Sequence, residues 1–169
     1  MTDKGAGQHK PAAKAVQPSK EQAQAQARQA WTYSLILACA VALAVTAAAY
    51  LGYQPFAVAF PTTIPAFIIL FLAAPLAAIA RMQTYKRHWV GQAVTPTGYL
   101  LGTRIYLTTL LVATFLSGLL LSLSPTPTLI GTVFYDLLAI GCVAIAYPHG
   151  EPMNTRLPDL GVERGKRLR

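Results

Sequence analysis

The sequence has little charge, few cysteines and almost no acid where its apolar runs lie, and each scarcity narrows what the chain can be. Of 169 residues, 12% are charged and 54% are hydrophobic. Soluble domains carry roughly 25% charged residues, so an ordinary water-soluble fold is excluded. Cys39 and Cys142 both sit in apolar runs and lack the paired spacing of a metal site or a disulfide framework, so they read as small reduced core residues. No histidine lies at membrane depth, which leaves no haem ligand within the apolar runs. Gly91, Gly98 and Gly102 form no phosphate-binding loop, and no Ser or Cys has a base placed beside it. No motif of a known chemistry appears, and the expectation is a chain with no cofactor, no metal site and no enzymatic activity.

What is present is hydrophobic length. The hairpin Tyr99–Tyr147 consists of two apolar runs joined by Ser124, Pro125, Thr126 and Pro127. Leu100–Leu123 carries one charge, Arg104, and Leu129–Ala146 carries one, Asp136, so each run is long and apolar enough to span a bilayer. The predicted fold is an all-α integral membrane protein, a four-helix transmembrane bundle with both termini cytoplasmic. Its spans are expected at about 31–51, 64–80, 99–123 and 128–147 within a membrane domain of 19–147.

Residues 1–18 are rich in Lys, Ala, Gln and Pro and are expected to be disordered, because they bury too little to offset chain entropy. Ser19 followed by Gln22 matches a capping box, so a helix is expected to start near Lys20 and run into the first span. Within that span Ala40 and Ala44 form a pair of small residues four apart, read as packing inside the bundle. The second span carries Pro75, which removes a helical hydrogen bond and is expected to kink it. Residues 81–98 are read as an internal loop and residues 148–169 as an irregular basic tail containing Pro and Gly.

The net charge of +8 sits in tails and a loop rather than on a soluble basic face, so a nucleic-acid partner is not expected. Five of the 14 Lys and Arg residues precede the first span, three lie in 81–98, five follow the fourth span, and none lies in 52–63 or 124–128. This asymmetry places both termini on the cytoplasmic side of what is read as a bacterial inner membrane. Arg81, Lys86, Arg87 and Trp89 combine basic and aromatic character at the membrane edge and are expected to contact anionic lipid headgroups.

The candidates for function are the polar groups inside the spans: Asp136, Arg104, Thr132 and Thr108. A charge near the bilayer centre costs about 2.5–3.5 kcal/mol even on insertion scales, so Asp136 needs an explanation. It can clamp Arg104 or a hydroxyl, relay protons in transport, or act as a catalytic carboxylate. The last is weakest, because no other Asp or Glu lies in any span to supply a second acid. Three functions follow: first an accessory, assembly or regulatory component packing against a membrane-protein partner or a second copy, second a small oligomeric transporter or channel using Asp136, and third a lipid-modifying enzyme using a cytoplasmic-edge cleft that joins His88, His149 and Arg104.

Reporters fused to either terminus should report from the cytoplasmic side, and reporters in 52–63 or 124–128 from the opposite side. A terminus found outside would refute the charge argument.

Overall fold

The computed structural model describes residues 18–51, 63–91, 93–123 and 129–154, so the tail expected to be disordered, the connections at 52–62 and 124–128 and the end of the C-terminal tail lie outside the described residues. Helix α1, Lys20–Tyr50, begins at the expected capping box: the Gln22 N–H donates to Ser19 Oγ and the Ser19 N–H donates to Gln22 Oε1, both at 3.1 Å. At about 1.5 Å per residue its 31 residues reach well beyond a bilayer core of about 30 Å. Its first turns therefore have to pack on something other than lipid.

Helix α2, Thr63–Arg87, is longer than the expected span of 64–80, and most of the expected 81–98 loop is helical. Arg81–Arg87 contains neither Gly nor Pro, and Lys86 and Arg87 in the last turn complement the negative end of the helix dipole. Pro75 lies inside α2 with its ring exposed. The true connection is a hairpin of β1, Trp89–Val90, and β2, Ala93–Val94, paired antiparallel with Trp89 opposite Val94. Gly91 turns it with φ of 63°, a left-handed conformation that glycine adopts without strain. Thr95 then caps α3, Pro96–Ser122, by accepting the Gly98 N–H at 3.2 Å. Helix α4, Leu129–Ile145, is followed by one short turn, α5, Glu151–Asn154.

The chain is mostly helical, and α1, α2 and α3 are each long and apolar enough to cross a membrane. The 17 residues of α4 are apolar but rise only about 25 Å. Helix α3 is central: it packs along α1 on one side and α2 on the other, while α4 lies chiefly on α1.

Burial runs opposite to that of a soluble bundle. Small residues such as Ala38, Ala42, Ala73, Ala77 and Ala139 fill the interior, while Leu43, Ile130 and Ile145 are 69%, 82% and 83% exposed. In lipid this is the economical arrangement, because helices gain from close backbone approach rather than from hiding leucine. Ala38, Ala42 and Val45 mark the buried face of α1. Ala40 lies two residues, or about 200°, around the helix from Ala38, so Ala40 and Ala44 face outward instead of packing within the bundle.

At the end where α1 and α3 begin, a cap closes the bundle. Ala23 and Ala27 of α1, Val94 of β2, Tyr99 and Leu100 of α3, and Met153 of α5 form one buried cluster. The segment expected to be an irregular tail is irregular from Tyr147 to Gly150 but tightly held. Pro148 and Gly150 are buried, the Gly150 N–H donates to the Tyr99 hydroxyl at 3.0 Å, and Gln24 Nε2 donates to the His149 carbonyl at 3.3 Å.

A Cβ at Gly118 would stand 2.5 Å from the Tyr135 hydroxyl and 2.8 Å from Val45 Cγ2, whereas one at Gly141 meets nothing within 4 Å. Gly118→Ala should therefore lower the thermal midpoint in detergent by the equivalent of about 1–3 kcal/mol. Gly141→Ala should leave it unchanged, and equal midpoints would show that α1 and α4 do not close on α3 as described.

Candidate functional site

Asp136 stands on the third turn of α4, and because α4 lies chiefly on α1, its neighbour is a hydroxyl of α1. Thr46 Oγ1 donates to Asp136 Oδ2 at 2.5 Å. The other oxygen, Oδ1, is buried without a hydrogen-bond partner. Arg104 is exposed on α3, and no ion pair joins it to Asp136. Depth along the chain allowed that pair. The packing order, with α4 on α1, removes it.

The other two intramembrane candidates divide. Thr132 is buried one turn before Asp136, on the same face of α4. Thr108 is exposed, while its neighbour Thr109 donates to the Ile105 carbonyl at 2.8 Å within its own helix.

Beside Asp136 runs a second polar seam that spacing alone did not single out. The Tyr135 hydroxyl donates to the Thr114 carbonyl at 2.6 Å, and Ser117 Oγ donates to the same carbonyl at 3.1 Å. Tyr135 is 1% exposed and reaches across because Gly118 leaves it room. Thr114 Oγ1 and Thr103 Oγ1 are buried without hydrogen-bond partners. On α1, Trp31 Nε1 donates at 2.8 Å to the Val143 carbonyl in the last turn of α4, which also accepts the Ala146 N–H at 3.2 Å.

The basic residues expected at lipid headgroups lie towards the cap end. Lys86 and Arg87 are exposed at the end of α2, while Trp89 is half-buried and packs against the cap cluster. Arg81 is half-buried and engaged within the protein: its Nε donates to the Tyr85 hydroxyl at 2.6 Å, and its guanidinium carbon lies 5.2 and 5.5 Å from the ring centroids of Tyr85 and Tyr106. Tyr85 stacks on Tyr99 with centroids 6.1 Å apart, and Arg28 stands 5.8 Å over Tyr147. His88 is held with Nδ1 3.0 Å from the Thr84 carbonyl, and His149 meets the Tyr147 ring edge-on. No group of three or more metal-ligating side chains occurs among the described residues.

Gly98 and Gly102, four residues apart on α3, are the positions whose spacing carried an unread signal. A Cβ at Gly98 would collide with His88 Cβ, and one at Gly102 would stand 2.5 Å from Tyr85 Cε1. Their four-residue separation marks one helix face open to close approach. Neither a family description, a curated protein nor a solved structure matches this chain.

A double-mutant cycle of Thr46→Val with Asp136→Leu, neither of which can make the bond, should show a coupling of about 0.6–1.7 kcal/mol, the range of interhelical hydrogen bonds in membranes. Strictly additive losses in unfolding midpoint would mean that the contact contributes nothing to stability.

Proposed function

We propose that the chain is a small multi-pass membrane protein of the bacterial cytoplasmic membrane, with four spans and both termini cytoplasmic. It acts as a non-enzymatic accessory, assembly or regulatory component packed against a membrane-protein partner or another copy of itself. The orientation is supported by Lys20, Arg28, Arg81, Lys86, Arg87 and Arg104, which all lie towards the end of the bundle that carries the cap. The fourth span is supported by the apolar character of α4 and by its antiparallel return along α1.

The observation that carries the reading is the tie between Asp136 and Thr46. A carboxyl fastened to a neighbouring helix is spent on packing, whereas a transport residue faces an open polar route. A groove of about 200 Å³ between α1 and α3, lined by residues including Val41, Ala44, Phe115 and Gly118, is apolar and excludes Asp136. Ala40 and Ala44 face outward beside it and suit the close approach of another transmembrane helix.

The transport reading keeps one specific observation, the unpartnered Oδ1 of Asp136. Proteoliposomes of wild type and Asp136→Asn, loaded with a pH-sensitive dye under a potassium-driven potential, separate the two readings. The accessory role expects both to match empty vesicles. A proton or cation flux that Asn abolishes would overturn it in favour of the oligomeric transporter.

A further inference from the structure

The six basic side chains among the described residues differ in how they are held. Lys86 and Arg87 are exposed, and their pull on an anionic surface is diffuse and screened by salt. Arg81 is fixed. Its Nε–H is taken by the Tyr85 hydroxyl, its planar head lies beside the Tyr106 ring, and its stem passes Gly102, where a Cβ would come within 3.5 Å of Arg81 Cγ. Tyr85 is fixed in turn by stacking on Tyr99, whose hydroxyl holds the Gly150 N–H.

One of the five guanidinium N–H groups is thereby used, and the four on Nη1 and Nη2 remain. No ion pair to a carboxylate uses them among the described residues, and Arg81 is only half-buried. The half-buried Tyr106, whose ring lies against the guanidinium, makes no side-chain hydrogen bond through its hydroxyl among the described residues. Arg81 directly follows the apolar run Ile64–Ala80, at the level where lipid phosphates stand if α2 spans a bilayer. A planar fork with two free amino groups matches two oxygens of one phosphate, and pre-orientation lowers the entropy lost on binding.

We propose that Arg81, held between Tyr85 and Tyr106, is a binding site for a phosphate ester anion, supplied by the headgroup of an anionic phospholipid. The proposal rests on the membrane reading above and deepens the expected headgroup contact: Arg81 binds one phosphate, while Lys86 and Arg87 contribute only general attraction.

The test is a native mass spectrometry titration of the full chain in maltoside detergent with phosphatidylglycerol. Wild type is expected to retain one lipid. Arg81→Gln should weaken retention about tenfold, the loss of one strong charged contact. Arg81→Lys should restore part of it, because an ammonium keeps the charge but not the fork. The double variant Lys86→Gln, Arg87→Gln should change retention less than about threefold, because an uncharged maltoside micelle presents no anionic surface for diffuse attraction. If Arg81→Gln lowers the lipid-free melting midpoint, Tyr106→Phe takes its place; it removes one hydroxyl donor, leaves the guanidinium, and should still weaken retention. Undiminished retention in Arg81→Gln, or in Tyr106→Phe where that variant stands in, overturns the site, as does a loss confined to the Lys86 and Arg87 variant. Displacement of the lipid by inorganic phosphate or glycerol phosphate assigns the site to a free anion and overturns the lipid source. Carbonate extraction is run in parallel: wild type released from membranes would defeat the membrane reading itself, while a retained chain with unaltered lipid binding in Arg81→Gln defeats only the Arg81 site.

Discussion

Because lipid tails solvate a leucine about as well as a neighbouring helix does, helices in a bilayer are held together by close packing and not by escape from the solvent. In this bundle α3 meets its neighbours over three glycines. Gly98 seats His88, Gly102 seats Tyr85, and Gly118 seats Tyr135 together with Val45. Each seat then organises a longer chain of contacts. Tyr85 fixes Arg81 on one side and stacks on Tyr99 on the other, and Tyr99 holds the backbone that leads into α5. Tyr135 carries α4 onto the Thr114 carbonyl of α3.

This dependence explains which features could be read from the chain and which could not. Ser19 and Gln22 start α1 through contacts made within three residues, so the capping box is local and legible. The long apolar runs are equally legible, because length and hydropathy are properties of one segment. The loop expected from Arg81 starts later because a charged residue ends only the apolar part of a helix; the backbone stays helical to Arg87, and the turn comes at Gly91. Ala40 and Ala44 show the same limit from another side. A small pair signals a surface fit for close approach but not which helix approaches, and here the buried face belongs to Ala38, Ala42 and Val45.

The polar site was legible as a residue and illegible as a pair. Asp136 stands out in any reading because the cost of an acid in lipid depends on depth alone. Its partner depends on the order of helices around the bundle. Helix α4 follows α3 through a short connection yet lies mainly on α1, so the hydroxyl of Thr46, 90 residues away, does what the neighbouring span was expected to do. The cap is a similar case. Met153 reaches Ala23 and Ala27 across nearly the whole chain, and the proline and glycine that suggested a loose tail instead steer it into place.

A comparison of magnitudes bears on why the acid is there. An uncompensated charge at this depth costs about 2.5–3.5 kcal/mol, whereas one interhelical hydrogen bond returns about 0.6–1.7 kcal/mol. The bond to Thr46 reduces the penalty without cancelling it, and Oδ1 adds nothing, so Asp136 is not explained as a source of stability. It is explained as a selector. Ile130, Val133, Phe134, Leu137 and Ile145 leave the outer face of α4 uniformly apolar, and apolar surface is equally content against lipid or against α1. Rotation of α4 about its axis is therefore weakly resisted by hydrophobicity. Turning Asp136 into lipid would forfeit its hydroxyl and incur the whole penalty, so the acid penalises wrong rotations more than it stabilises the right one. Trp31, bonded to the Val143 carbonyl nearer the cap, constrains the same helix from its other end. With both contacts made, one face of α4 is fixed toward α1 and the opposite face is left apolar and exposed.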